Sequence, residues 1–125
     1  MSAHTLPKSE RLRSLGAVRR LFSDGRSGFV YPFRYMIFTE ESASPSVEVL
    51  FSVPKRYHKR ANKRNLLRRR TKEAYRLNKE SVTAVVAERC LSLDMALVYS
   101  VKECVPYKTI ENAVRKILQE VGATL

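Results

Sequence analysis

Residues 54–76 read PKRYHKRANKRNLLRRRTKEAYR, and where this stretch sits decides the fold around it. Pro54 supplies no backbone N–H and closes an extended segment, so regular structure resumes beyond it, where the spacing predicts a helix over 61–78. At about 100° per residue, Arg64, Asn65, Arg68, Arg69, Lys72 and Arg76 fall within one arc of about 140°. Leu66, Leu67, Thr71, Ala74 and Leu77 gather on the other side, with Lys63 and Arg70 intruding on stems long enough to snorkel outward. One helix therefore owns a core face and a cationic face.

The charge is local. The chain has 125 residues, 24 Lys plus Arg against 12 Asp plus Glu, and a net charge of +12. The 22 residues from Lys55 to Arg76 hold 11 of those bases and one acid, Glu73, leaving the remainder close to balance. A solvated helix face ordinarily mixes signs, because like charges four apart, as at Arg64, Arg68, Lys72 and Arg76, repel by a few tenths of a kcal/mol per pair. A sequence that keeps this repulsion suits a polyanion, and an excess of Arg over Lys suits bidentate phosphate contacts. Roughly six to ten phosphate contacts would serve DNA or RNA alike. The aromatic residues Phe22, Phe29, Tyr31, Phe33, Tyr35 and Phe38 cluster upstream. Exposed members could stack on unpaired bases, while core packing is expected for at least half of them.

Working outward, residues 1–8 read as a loose tail, and Ser14 can cap a short helix with apolar Leu15, Val18, Leu21 and Phe22, stopped by Gly25. Alternation over Phe33–Thr39 and again over Val47–Val53 predicts two strands of a hairpin, joined by the Ser-rich segment 40–46. Val82–Ala87, after a Ser81 cap, predicts a further turn or two of helix. Leu93, Met95, Leu97, Tyr99 and Val101 share one side of a last strand. Pro106 opens the last helix, whose stripe of Ile110, Ala113, Val114, Ile117, Leu118 and Val121 ends at Gly122. The order is helix, two strands, helix, strand, helix. It predicts a single-domain α+β two-layer sandwich.

Cys90 and Cys104 form no CxxC pair, and His4 and His58 are the only possible co-ligands, so neither a zinc site nor a disulfide framework is indicated. No apolar run reaches about 18 residues and the N-terminus lacks a signal pattern, so the cytoplasm is expected, with no membrane and no small-molecule substrate. No carboxylate cluster of a metal-dependent nuclease is visible, and neither His sits in an acid–base setting. No catalytic residue and no protein-held metal are expected.

The basic string resembles the signature of the bacterial ribonuclease P protein family, in which a strand-end Lys-Lys or Lys-Arg leads through an Ala to Arg-Asn-Arg and then Lys-Arg. The resemblance extends to Lys8–Leu12 with Val18, Phe22 and Gly25, to Pro32, Phe33 and Arg34, and to Asp94–Val101 with the closing helix. Two positions depart from it: Leu66 stands at the third member of Arg-Asn-Arg, and Val18 where an aromatic is common. The resemblance implies a ribosomal-protein-like fold with a left-handed crossover through the basic helix, where general rules favour the right-handed form. It also implies a subunit of a ribonucleoprotein endonuclease whose RNA, using Mg²⁺, removes the 5′ leader of precursor tRNA.

On that basis Lys55, Arg56, Lys59, Arg60, Arg64, Asn65, Arg68, Arg69, Lys72 and Arg76 are expected to bind ribonuclease P RNA. A cleft between the first helix and the sheet is expected to take the single-stranded leader, with Phe22, Tyr35 and Lys55 as candidates and Met36 as the alternative to Tyr35. Two other classes stay open: a ribosomal or RNA-chaperone protein, and an architectural DNA-binding protein. An intrinsic nuclease is a distant third.

Overall fold

A computed structural model describes residues 15–125. The expected tail, the Ser14 cap and the Lys8–Leu12 part of the resemblance lie outside the described residues. The elements are α1 (Leu15–Asp24), β1 (Arg26–Val30), β2 (Phe33–Glu41), β3 (Ser46–Ser52), α2 (Ala61–Asn78), α3 (Glu80–Arg89), β4 (Leu91–Tyr99) and α4 (Tyr107–Thr124).

The four strands form one sheet in the order β1-β2-β4-β3. The expected β2–β3 hairpin does not form, because β4 lies between them, antiparallel to β2 and parallel to β3. β4 is apolar enough to lie between β2 and β3. Its Leu93, Met95, Leu97 and Tyr99 are buried on one face, and Asp94 and Ala96 on the other, as a strand bonded at both edges and covered on both faces requires. Ser42 donates its backbone N–H to the Cys90 carbonyl at 2.9 Å, tying the β2–β3 loop to the strand that separates its ends. β1 was not expected: Arg-Ser-Gly-Phe-Val is short and carries little alternation, yet it pairs antiparallel with β2 from Arg26↔Ile37 to Val30↔Phe33.

The main core lies on one face of the sheet, where α2, α3 and α4 pack over Phe33, Ile37, Val49, Phe51, Leu93, Met95, Leu97 and Tyr99. α4 buries the predicted stripe of Ile110, Ala113, Val114, Ile117, Leu118 and Val121 in full. Gly122 does not end it: the helix runs to Thr124, and a Cβ at Gly122 would stand 3.1 Å from the Ser81 carbonyl oxygen, so this glycine brings α4 close to α3 instead. α3 is also longer than the expected turn or two, and ends at Cys90 in the left-handed conformation.

α1 lies on the opposite face. Leu21 is fully buried there against Met36 and Ala96, while Leu15 and Phe22 remain exposed. The Gly25 N–H caps the helix on the Leu21 carbonyl at 3.0 Å. A Cβ at Gly25 would sit 2.3 Å from that oxygen and 2.9 Å from the Ile37 carbonyl, so only glycine turns here directly into β1. The helices therefore occupy both faces of the sheet, three on one and a short one on the other.

Candidate nucleic-acid interface

α2 spans the residues that its periodicity predicts, and its buried side is Leu67, Thr71, Ala74 and Tyr75. Leu66 is half-buried and Leu77 is 39% exposed, so the core face is narrower than the leucines alone suggest and is turned toward Tyr75. Tyr75 packs edge-on against Phe51 of β3. Asn65 and Arg69 are exposed, and Arg64, Arg68, Lys72 and Arg76 are half-buried along their stems. The expected cationic side thus forms one surface instead of being scattered around the helix.

Its charges are unequally committed. Arg76 pairs with Glu73 through two hydrogen bonds, Nη2 to Oε1 at 2.5 Å and Nε to Oε2 at 3.1 Å, which lowers the Glu73 carboxyl pKa and raises that of Arg76. Arg64 donates to the carbonyls of His58 at 3.0 Å and Lys59 at 2.7 Å. Arg68 donates to Asn65 Oδ1 at 3.0 Å, and Lys72 Nζ stands 6.0 Å from the Phe51 ring centre. Arg70, expected to intrude on the core side, reaches the Val105 carbonyl at 3.2 Å. Arg76 and Glu73 form an ion pair within α2.

The start of α2 adds to this surface. Arg60 occupies the cap position without a side-chain cap, and the first turn has no acidic residue. The positive end of the helix dipole therefore adds to Arg60, Lys63 and Arg64 instead of being offset, an arrangement suited to phosphate. Lys55, Arg56, Lys59 and Arg60 are all exposed on the segment that joins β3 to this end. Pro54 accepts the N–H groups of Tyr57 and His58, and the His58 ring bonds the Val101 carbonyl at 2.9 Å, so the segment is shaped and anchored.

The two strand candidates for the cleft separate onto opposite faces. Met36 faces α1 and is buried beside Leu21, whereas Tyr35 faces α4. The Tyr35 ring crosses Gly28, and its hydroxyl bonds Glu120 at 3.3 Å, where burial and the neighbouring Glu120 carboxylate raise its pKa. Alternation thus sets Tyr35 on the face away from α1 and Met36 on the α1 face, where Leu21 covers it. Phe22 is 49% exposed on α1.

Sequence reasoning missed what holds α1 down. Arg20 pairs with Glu40 at 2.8 Å and with buried Asp94 at 3.5 Å, and lies over the Phe38 ring at 4.6 Å. Burial raises the Asp94 pKa and Arg20 opposes the rise, while neighbouring Glu48 is raised by burial and by Asp94. The available signal was Asp94 itself, a carboxylate inside the apolar strand sequence LSLDMALVY, which needs a cation from elsewhere.

Comparison with known proteins agrees on one family. Residues 6–122 match the Ribonuclease P family. A ribonuclease P protein component of Porphyromonas gingivalis is 35% identical over 122 residues, covering 96% of this chain and 88% of the relative. One from Chlorobaculum tepidum is 37% identical over 92 residues, covering 67% and 57%. Among solved structures, the fold is similar to the Staphylococcus aureus RNase P protein (TM-score 0.68, 17% identity, 91% of this chain and 96% of that one). It is equally similar to the RNase P protein of Thermotoga maritima (TM-score 0.69, 20% identity, 89% and 96%).

Proposed function

The chain belongs to the ribonuclease P protein family, and from that premise we propose that it is the RNA-gripping, non-catalytic subunit of that endoribonuclease. In this reading Arg64, Asn65, Arg68, Arg69 and Lys72, with the segment carrying Lys55, Arg56, Lys59 and Arg60, hold ribonuclease P RNA. Phe22, exposed on α1, and Lys55, exposed on the segment after β3, serve the single-stranded 5′ leader of precursor tRNA, while buried Met36 supports α1 from beneath. The observation that carries the proposal is the cationic side of α2, gathered on one surface and continued by the exposed basic residues Lys55, Arg56, Lys59 and Arg60 at its start.

The protein's work is positioning. Arginine forks fix phosphates at defined spacings, and neutralising those phosphates lowers the cost of crowding RNA around its metal ions. Leader contacts add affinity for precursor over mature tRNA without touching the scissile bond. Mg²⁺ belongs to the RNA in this proposal. Among the described residues no three His, Cys, Asp or Glu side chains come together as a cation site, and no step here is assigned to a protein-bound metal.

The test is reconstitution. Adding the purified chain to ribonuclease P RNA at low Mg²⁺ should restore leader cleavage of precursor tRNA, and absence of product would overturn the proposal. A shift of duplex DNA as strong as that of RNA would favour an architectural DNA-binding protein instead.

A further inference from the structure

α1 covers only part of its face of the sheet. Leu21, with Ala17 and Val18 beside it, seats the helix over Met36, Phe38, Leu50, Ala96 and Val98. Toward the β1–β2 turn the register sets Phe29 directly opposite Arg34, and Arg34 opposite Val98. Alternation from Met36 places Phe29 and Arg34 on the α1 face.

These two side chains serve no visible structural purpose. Phe29 is 58% exposed, and Arg34 is exposed beside it. Among the described residues neither makes a side-chain hydrogen bond, ion pair or ring contact. Arg20, on the same face, is by contrast held by Glu40 and Asp94 over Phe38. Directly opposed residues of an antiparallel pair stand about 4.5–5.5 Å apart at Cβ. An open aromatic ring and an uncommitted guanidinium at that spacing match the two parts of one nucleotide, the base stacking on the ring and the phosphate meeting the fork. A duplex would not serve, since its bases are already stacked on one another.

We infer that Phe29 and Arg34 form a stacking subsite for one unpaired nucleotide of the precursor leader, beyond the part of the face that α1 covers. The leader is the occupant because the row continues the face on which the proposed leader contact lies, whereas α2 packs on the other side of the sheet. The inference rests on the proposed function, and the experiment separates the two.

The experiment uses the reconstituted holoenzyme and precursor tRNAs with leaders of decreasing length, each carrying 2-aminopurine at one leader position in turn. If the wild-type chain restores no cleavage, the proposed function falls. With cleavage restored, Phe29→Ala should weaken precursor binding by roughly 5- to 100-fold, the loss of one stacked base, with mature tRNA unaffected. Arg34→Ala should reduce the salt slope of precursor binding by about 0.7, one single-strand phosphate, where Lys116→Ala on α4 should not. One leader position should be quenched by the wild type and by Phe29→Trp but not by Phe29→Ala. Leaders too short to include that position should bind the wild type and Phe29→Ala alike. The subsite is refuted if Phe29→Ala and Arg34→Ala leave precursor affinity and quenching unchanged, or if mature tRNA loses affinity equally.

Discussion

Replacing Arg64 with Ala should damage RNA binding more than replacing Arg68, although the two stand one turn apart on the same surface. The Arg64 guanidinium bonds two backbone carbonyls, of His58 and Lys59, whereas Arg68 meets only the Asn65 side chain. Hydrogen bonds from charged donors contribute about 1.5–3 kcal/mol where water is excluded, and at this half-exposed site a value near 0.5–1 kcal/mol each is appropriate. Losing both frees the segment that presents Lys55, Arg56, Lys59 and Arg60, and binding must then order it again at a cost of about 1–2 kcal/mol. That is about 5- to 30-fold in affinity beyond the loss of one phosphate contact. The assay is the dissociation constant for ribonuclease P RNA across a salt series, with amide exchange over residues 55–60. Arg68→Ala should reduce the salt slope by about 0.9 and leave exchange unchanged. Arg64→Ala should reduce the slope similarly, speed exchange, and retain its extra penalty on extrapolation to about 1 M salt, where the phosphate contribution has gone. Arg64→Lys should recover the slope but not the penalty, since an ammonium cannot reproduce the planar fork. Coincident binding curves for Arg64→Ala and Arg68→Ala at every salt concentration would refute the reasoning.

Other consequences are simpler to measure. Gly25→Ala should lower stability by about 1–3 kcal/mol in chemical denaturation, because its Cβ meets two backbone oxygens; an unchanged midpoint would show that the turn can relax. Glu48→Gln should raise Tm by about 1–2 °C near pH 7. The folded-state pKa of Glu48 is raised by burial and by Asp94, so ionising it costs the fold stability at neutral pH. That cost disappears as pH falls below the ordinary carboxylate range, and the advantage of the variant should vanish near pH 4. Tyr35→Phe removes the bond to Glu120 on the α4 side and should leave precursor affinity within about two-fold; a ten-fold loss would return Tyr35 to the leader contact.

What the sequence could reveal followed the strength of each periodic signal. α2 and α4 were legible because their apolar and charged positions repeat over five turns, and both appear at or near the expected bounds. Strand pairing was not, since alternation reports which residues share a face and says nothing about which strand lies beside which. The hairpin expected for β2 and β3 failed for that reason: a short loop joins them, and the third partner lies some forty residues on. The same limit left Tyr35 and Met36 undecided until α1 was placed over one of them. On α2 the gathering of cations was readable from helical geometry, but the ties of Arg64 and Arg70 to backbone carbonyls were not, because their partners come from other segments.

The middle position of β4 has a consequence for how the molecule is assembled. β2 and β3 share no ladder of their own, and the strand that joins them is the last to be synthesised. A nascent chain released only as far as α3 would carry its arginines on a helix with no finished sheet behind it, and the closing step spans a long sequence separation of the kind that slows folding. RNA that meets the completed α2 surface would stabilise the closed state by mass action. Tm should therefore climb with RNA concentration, so that the ligand favours the state in which β4 has closed the sheet.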